Sequence, residues 1–331
     1  MNFKETIGID VSKSTIDVRL HCKNLINEFA NNQSGYKRLI QWVLSSTKLK
    51  KDTVLFAFEH TGLYSYRLSV YLSEHNFRYI LIPGLELRRS MGIARGKDDQ
   101  IDAGKIALYA YRRKDEITPY ELPSNEITKI KRLLSLRERL VKQKAGYEVT
   151  LKENKQFIRK NDNLVLFKVL EKMIVELKKQ IDILNQELSN HISNDDHLKK
   201  IYELITSIKG IGPQTALFMI AFTNGFTRFE NWRKFACYSG IAPFPHQSGI
   251  SIKGRTKVSH LANKKMKSLL SSCASTAILC NPEMKQYYER RLAEGKNKMC
   301  VLNNIRNKLL ARIFAVINRG TPYVNTLGYI N

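Results

Sequence analysis

The chain has 331 residues, is 43% hydrophobic, and carries 55 Lys+Arg against 30 Asp+Glu, a formal net charge of +25. That length fills two or three domains with real cores, and a pI of about 9.8 points to a polyanionic partner. No apolar run approaches a bilayer span, the N-terminus has no signal-peptide core, and the five cysteines form neither a CxxC pair nor a zinc spacing. Neither a membrane-spanning helix nor a disulfide framework is expected, and a reducing cytoplasm is.

The elements read in chain order as follows. Residues 6–11, 16–22 and about 25–30 have strand character, and Ser12-Lys13-Ser14-Thr15 reads as a turn between the first two. Tyr36, Leu39, Ile40 and Val43 mark one face of a helix over 35–46. A strand at 53–58, a helix near 64–75 and a strand at 77–82 come next, stopped by Pro83-Gly84, and another helix is expected near 100–113. The order βββαβα predicts a ribonuclease H-like, RuvC-like α/β domain over 1–122.

Residues 125–194 change character: glycine is almost absent and charge dominates. Leu170, Ile174, Leu177, Ile181, Leu184 and Leu188 form a heptad seam. With an earlier helix over 126–158 and a polar break at 160–163, a coiled-coil helical hairpin over 123–195 is predicted, serving as a spacer or dimer contact or packing only within its own chain. The remaining 196–331 is a mainly helical domain holding 21 Lys+Arg against 6 Asp+Glu. Within it, Ile205 to Ala216 reads as a helix-hairpin-helix element whose Gly210 and Gly212 let backbone amides approach a phosphate. Gly and Pro punctuation makes 239–256 a loop with turns, followed by helices over 260–279 and 298–319 and a short tail.

Four carboxylates carry the chemical signal. Asp10 follows Ile7-Gly8-Ile9, and Glu59 follows the apolar run 53–58. Asp99 and Asp102 stand three apart, on one helical face. Acids at strand ends and on one helix face suit a hard-oxygen cage for a divalent cation, which does phosphoryl chemistry. Taken singly, each acid also fits a turn or a helix cap, and Asp98 competes with Asp99. Arg88, Arg89, Arg95 and Lys97 precede the acidic pair as a candidate phosphate guide. Ser248 lies in the unusual Gly-Pro-rich stretch, with Lys253, Arg255 and Lys257 directly after it. A serine needs activation to act as a nucleophile, and His60, His246 and His260 are possible neighbours.

The segments Ile7 to Lys13, Phe58 to Gly62, Lys97 to Ala103, Gly210 to Ala216 and Gly240 to Gly249, in this order, resemble the signature segments of the DEDD-type transposases of the insertion-sequence one-ten family, relatives of the pilin-gene invertases. The resemblance spans nearly the whole chain. It implies a RuvC-like domain joined through a coiled coil to a C-terminal transposase domain, and magnesium (Mg2+) held by Asp10, Glu59, Asp99 and Asp102. It implies that Ser248 attacks DNA and stays linked to it through a phosphate. The partners it implies are target and donor double-stranded DNA, a structured non-coding guide RNA, and further copies of the chain, from dimer to tetramer, so that one chain's acids meet another's serine. Asp98 departs from the small polar residue common before the third acid. The reading is an RNA-guided DNA recombinase, with a RuvC-type hydrolytic junction resolvase as the alternative.

Overall fold

The computed structural model describes residues 2–90, 99–248 and 252–324; for residues 99, 160, 161, 246–248, 252, 253 and 255 it describes the backbone only. Arg95, Lys97 and Asp98, named above, lie outside the described residues. The chain divides into two compact units, Met1–Leu122 and Pro123–Asn331. The first is mixed α/β and the second is dominated by helices.

The first unit is built on a five-stranded mixed sheet. Its strands are β1 (Glu5–Val11), β2 (Thr15–Leu20), β3 (Ile26–Ala30), β4 (Val54–Glu59) and β5 (Arg78–Ile82), in the order β3-β2-β1-β4-β5. β1, β2 and β3 are an antiparallel meander, while β4 and β5 run parallel to β1. The run Val54-Leu55-Phe56-Ala57-Phe58 is apolar on both faces because β4 is covered on both. On one side, Ile7, Ile9, Phe56 and Phe58 pack with Tyr36, Leu39 and Val43 of α1 (Gln33–Thr47) and Leu68 and Leu72 of α2 (Leu63–Glu74). On the other, Leu55, Ala57, Ile80 and Ile82 pack with Leu87 of α3 (Gly84–Ser90) and Ile106, Tyr109 and Ala110 of α4 (Asp99–Arg113).

α4 lies directly on β1. A Cβ built on Gly8 would stand 2.0 Å from the Ala103 carbonyl oxygen and 2.3 Å from the Ala107 nitrogen. Thr6 Oγ1 donates to the Ala107 carbonyl at 3.1 Å. No side chain fits at position 8, and two alanines supply the matching flat face on the helix.

In the second unit, α5 (Asn125–Phe157) and α6 (Leu164–Ser193) form a long antiparallel pair, each about 45–50 Å at 1.5 Å per residue. The direction follows from three cross-contacts: Glu126 with His191, Arg137 with Asn185, and Lys155 with Glu171. The seam expected from the sequence faces α5 within the chain, with Leu170, Ile181 and Leu188 buried and Ile174, Leu177 and Leu184 half-buried. The pair is rooted in the helical core through Ile127, Ile130, Leu134 and Ile192. That core is made by α7 (Asp196–Thr206), α8 (Pro213–Thr223), α9 (Trp232–Tyr238), α10 (Lys264–Cys280), α11 (Pro282–Ala293) and α12 (Lys298–Arg319).

The stretch read as a loop with turns is in part a β-ribbon. β6 (Pro243–Ser248) pairs antiparallel with β7 (Ile252–Val258), with a register shift between Phe244 and His246. Prolines argue against a central strand, but a two-stranded ribbon has an open edge and Pro245 falls at its irregularity. The helix expected from 260 starts at Lys264, because Asn263 caps it by accepting from the Met266 amide at 3.0 Å.

Gly8→Ala is expected to cost about 3 kcal/mol or more, since both opposing atoms are backbone and cannot turn aside. Urea unfolding of the full chain measures this; a loss under about 0.5 kcal/mol, the range of a neutral surface change, would mean that α4 is not seated on β1 in this way.

Candidate functional site

The parallel register places Ile9 beside Phe58, so Asp10 and Glu59 end adjacent strands at the same level. Each follows the side-chain alternation of its strand: Thr6, Gly8 and Asp10 on one, Leu55, Ala57 and Glu59 on the other, all on the face covered by α4. Both acids are half-buried. The helix runs antiparallel to β1, since Thr6 meets Ala107 while Gly8 reaches back to Ala103. Asp10 lies about 7 Å beyond Gly8 along the strand, and the first turn of α4 lies about 6 Å before Ala103. The helix start that carries Asp99 and Asp102 is therefore level with the ends of β1 and β4. Helix position 99 precedes Ala103 by one turn, over β1. Position 102 precedes Ile106 by one turn, on the side of β4 and β5.

Two further residues shape this edge. A Cβ on Gly84 would stand 2.1 Å from Glu59 Oε1, so the carboxylate occupies space that only glycine leaves open. Asp17 on β2 is the register partner of Asp10 and is only 7% exposed. Directly opposed residues share a face and like charges there repel, so this edge concentrates negative charge. The sequence gives no signal for Asp17, because an acid in the alternating strand Thr15-Ile16-Asp17-Val18 looks like an outward polar position. Gly84 looked only like a strand stop.

Asp102 is turned to Lys105, whose Nζ donates to Oδ1 at 2.6 Å. Among the described residues, no group of three or more His, Cys, Asp and Glu stands ready as a cation cage; the Asp99 side chain is not among them. The donor set is nevertheless all oxygen, as magnesium-type ions require, and the cleared space over Gly84 lets Glu59 take part. In donor type these residues suit a divalent cation.

The cations named from the sequence are dispersed. Arg88 and Arg89 are exposed on α3. Arg89 lines a cavity of about 510 Å³ between α3 and α4, with Leu85, Leu108 and Arg112. Glu86 ties these two helices together, accepting from Tyr109 Oη and from Arg113 Nη1. Burial, and the bond to Glu86, push the Tyr109 phenol up.

In the second unit, Gly210 has φ +97° and its missing side chain makes room for Ala277 of α10, 2.7 Å from a built Cβ. Gly212 caps α8, which starts on Pro213, and has open space around its Cβ position. Ser248 is the last residue of β6 and pairs with Ile252, while Gln247 pairs with Lys253. Arg255 and Lys257 lie on β7, and Lys257 is exposed. His60 and His260 are both exposed. The root of the ribbon is held from behind. Asn303 and Asn307 of α12 both donate side-chain amides to the Ile241 carbonyl, at 2.9 and 3.1 Å. Nothing in the sequence marked these two asparagines, because their partner is a backbone atom more than 60 residues away.

Residues 202–289 match the family described as "Transposase IS116/IS110/IS902 family", and residues 7–153 match a DEDD-type IS110 family described as "Transposase". The chain is 27% identical over 330 residues to the pilin gene-inverting protein of Moraxella bovis, covering 97% of this chain and 98% of that one. The pilin gene-inverting protein of Moraxella lacunata matches to the same extent. It is 24% identical over 259 residues to the transposase for insertion sequence element IS1111A of Coxiella burnetii, covering 70% of this chain and 69% of that one. A DEDD-type transposase depends on divalent metal in general, in keeping with the oxygen donors at the sheet edge. With both matches in order along one chain, and relatives aligned from end to end, the protein belongs to the IS110/IS116/IS902 transposase family and is an enzyme that acts on DNA.

Proposed function

We propose that this chain is an RNA-guided DNA recombinase that cleaves and rejoins strands to excise and insert an insertion sequence. The observation that carries it is the level ending of β1 and β4 at Asp10 and Glu59, under the first turn of α4 with Asp99 and Asp102. The strand order β3-β2-β1-β4-β5 with three antiparallel and two parallel members supports a RuvC-like, ribonuclease H-type reading of 1–122. Residues 123–195 serve as a coiled-coil spacer and 196–331 as the transposase domain with its helix-hairpin-helix.

In this reading Asp10, Glu59, Asp99 and Asp102 hold Mg2+, which when bound neutralises charge on the scissile phosphate and on the departing oxygen. Lys105 now holds the Asp102 carboxylate, which would turn from it to join the other three acids. Ser248 Oγ attacks the phosphorus, giving up its proton. An Oγ–P ester forms, the bond to one sugar oxygen breaks, and that oxygen leaves as a hydroxyl. A sugar hydroxyl from the other duplex then attacks the same phosphorus and releases the serine, so the phosphodiester energy is kept. Arg88, Arg89, Arg95 and Lys97 guide backbone phosphates to the acids, while Gly210, Gly212, Lys253, Arg255 and Lys257 contact nucleic acid beside the serine. The basic excess of 196–331 accommodates both DNA and a structured guide RNA. Two duplexes require more than one copy. The far end of the α5–α6 pair offers a contact: Val165 is 75% and Phe157 85% exposed, and Val169 and Met173 continue an i, i+4 stripe.

Ser248→Ala is expected to abolish strand exchange and protein-linked DNA while keeping nucleic-acid binding, in a reaction with Mg2+, flanking RNA and both DNA partners. Recombination by this variant would overturn the serine mechanism, and strand cleavage without protein-linked DNA would instead favour a hydrolytic nuclease in which the acids activate water. Asp10→Asn, Glu59→Gln, Asp99→Asn and Asp102→Asn are each expected to lose activity.

Gly84→Ala separates site from fold. The opposing atom is the end of a flexible side chain, so stability should change by less than about 1 kcal/mol, yet Glu59 must swing away and cleavage should fall with it. Full activity in Gly84→Ala would remove Glu59 from the site.

Val165→Asp with Val169→Asp should lower the mass of the assembly measured by light scattering, with and without RNA, and lower recombination together. An unchanged mass would leave that stripe outside the contact between copies.

A further inference from the structure

The second unit contains a pair of cations that its own carboxylates do not balance. Lys131 projects from α5 one turn after Ile127, which packs on the turn at Gly225, and it is half-buried. Its charged neighbour is Arg228, on the same turn. Among the described residues, neither side chain has a carboxylate partner. Glu230, two residues after Arg228, is taken by Lys234 at 2.7 Å. Burial, and then Arg228, push the Lys131 ammonium down to about 8. A lysine placed for structure alone pairs with an acid or extends into water; this one is held beside a second cation.

Arg228 is also prearranged. Its guanidinium carbon lies 5.3 Å from the ring centres of both Phe229 and Tyr238, and those rings are themselves 5.2 Å apart. A fork held by two aromatic rings loses little freedom on meeting an anion. Tyr238 is fixed in turn by Asn263, whose side-chain amide donates to the phenol oxygen at 2.9 Å and whose backbone amide donates to the Tyr238 carbonyl at 2.8 Å. Asn263 caps α10 directly after the β6–β7 ribbon. The cation pair is thus tied by two residues to the root of the ribbon.

We propose that Lys131 and Arg228 together seat one backbone phosphate of bound DNA. A phosphodiester fits because it brings the negative charge that two adjacent cations require, takes two donors at once, and demands no base identity. The seat adds a contact to those named above, and it rests on the chain's action on DNA, not on the serine or metal chemistry.

The test uses the full chain, a set of mixed-sequence duplexes and a structured RNA, without divalent cation, so that strand cleavage plays no part. Binding is measured over a salt series for the natural protein, Lys131→Met, Arg228→Gln and the double variant. The log–log salt slope for DNA should become shallower by about 0.9 for each cation removed, and affinity should fall equally across sequences. The thermal midpoint of Lys131→Met without DNA should hold or rise, because a like-charge juxtaposition is relieved. An unchanged slope in Arg228→Gln, whose side chain is exposed, would overturn the seat. So would a slope change with RNA alone, or stabilisation of the natural protein by inorganic phosphate with no effect of either variant on DNA. A lower midpoint in Lys131→Met with unaltered DNA binding would assign the lysine to packing and overturn it as well.

Discussion

The close approach of α4 to β1 sets the geometry of the first unit. Helices normally stand off a sheet because side chains of both intervene. Here Gly8 removes one layer of side chain and Ala103 and Ala107 thin the other, so the helix backbone almost touches the strand. The Thr6 hydroxyl satisfies its hydrogen bond on the same helix, at Ala107. Every other relation at this edge follows from that contact. A helix standing farther away would carry its first turn out of reach of the strand ends, whatever residues that turn held. The alanine spacing and the glycine are therefore as much part of the site as the acids.

The same edge shows how charge is managed on a protein that is positive overall. Asp10 and Asp17 face each other across β1 and β2, and Glu59 leans into the space over Gly84. Packing three carboxylates near one sheet edge raises the cost of each unless positive charge is near. Lys105 supplies some at Asp102. Arg19 crosses over Gly104 on the neighbouring turn, its Cδ 3.0 Å from a built Cβ. Glycine again is the device: Gly84 admits an acid, Gly104 an arginine and Gly8 a helix.

Much of this was legible in the sequence where the signal is periodic. Strands 1 to 5, helices 1, 2 and 4 and the long α5–α6 pair follow from alternation, from 3.6-residue spacing and from the near absence of glycine after 125. The seam from Leu170 to Leu188 is apolar as its heptad spacing indicates, but its cover is α5 of the same chain, and the exposed stripe lies on other positions, Val165 and Val169. A heptad gives the face of a helix and not the identity of its partner. The β6–β7 ribbon was hidden because Pro243, Pro245, Gly249 and Gly254 outweigh its short alternation, and short two-stranded pairing depends on contacts formed only in the folded unit. The acids could be proposed from their places at strand and helix ends. Gly84, Asp17, Asn303 and Asn307 could not, since each matters through a neighbour distant in sequence.

The two units present opposite versions of one electrostatic arrangement. At the sheet edge, carboxylates are brought together by strand register and helix docking, and the ligand such a group favours is a cation. At the α5–α9 corner, Lys131 and Arg228 are brought together by a helix root and an aromatic shelf, and the ligand favoured there is an anion. Like charges held close in a partly desolvated place cost stability unless counter-charge is near. Both sit on rigid parts, a central strand pair in one unit and the hairpin root in the other, where packing can absorb that cost. An enzyme that breaks phosphodiesters needs both: oxygen donors where negative charge develops, and fixed cations that hold the backbone in register while it does. The strongly positive net charge draws nucleic acid in from any direction, whereas fixed clusters of like charge, such as these two, are what can give bound phosphates and ions a defined place.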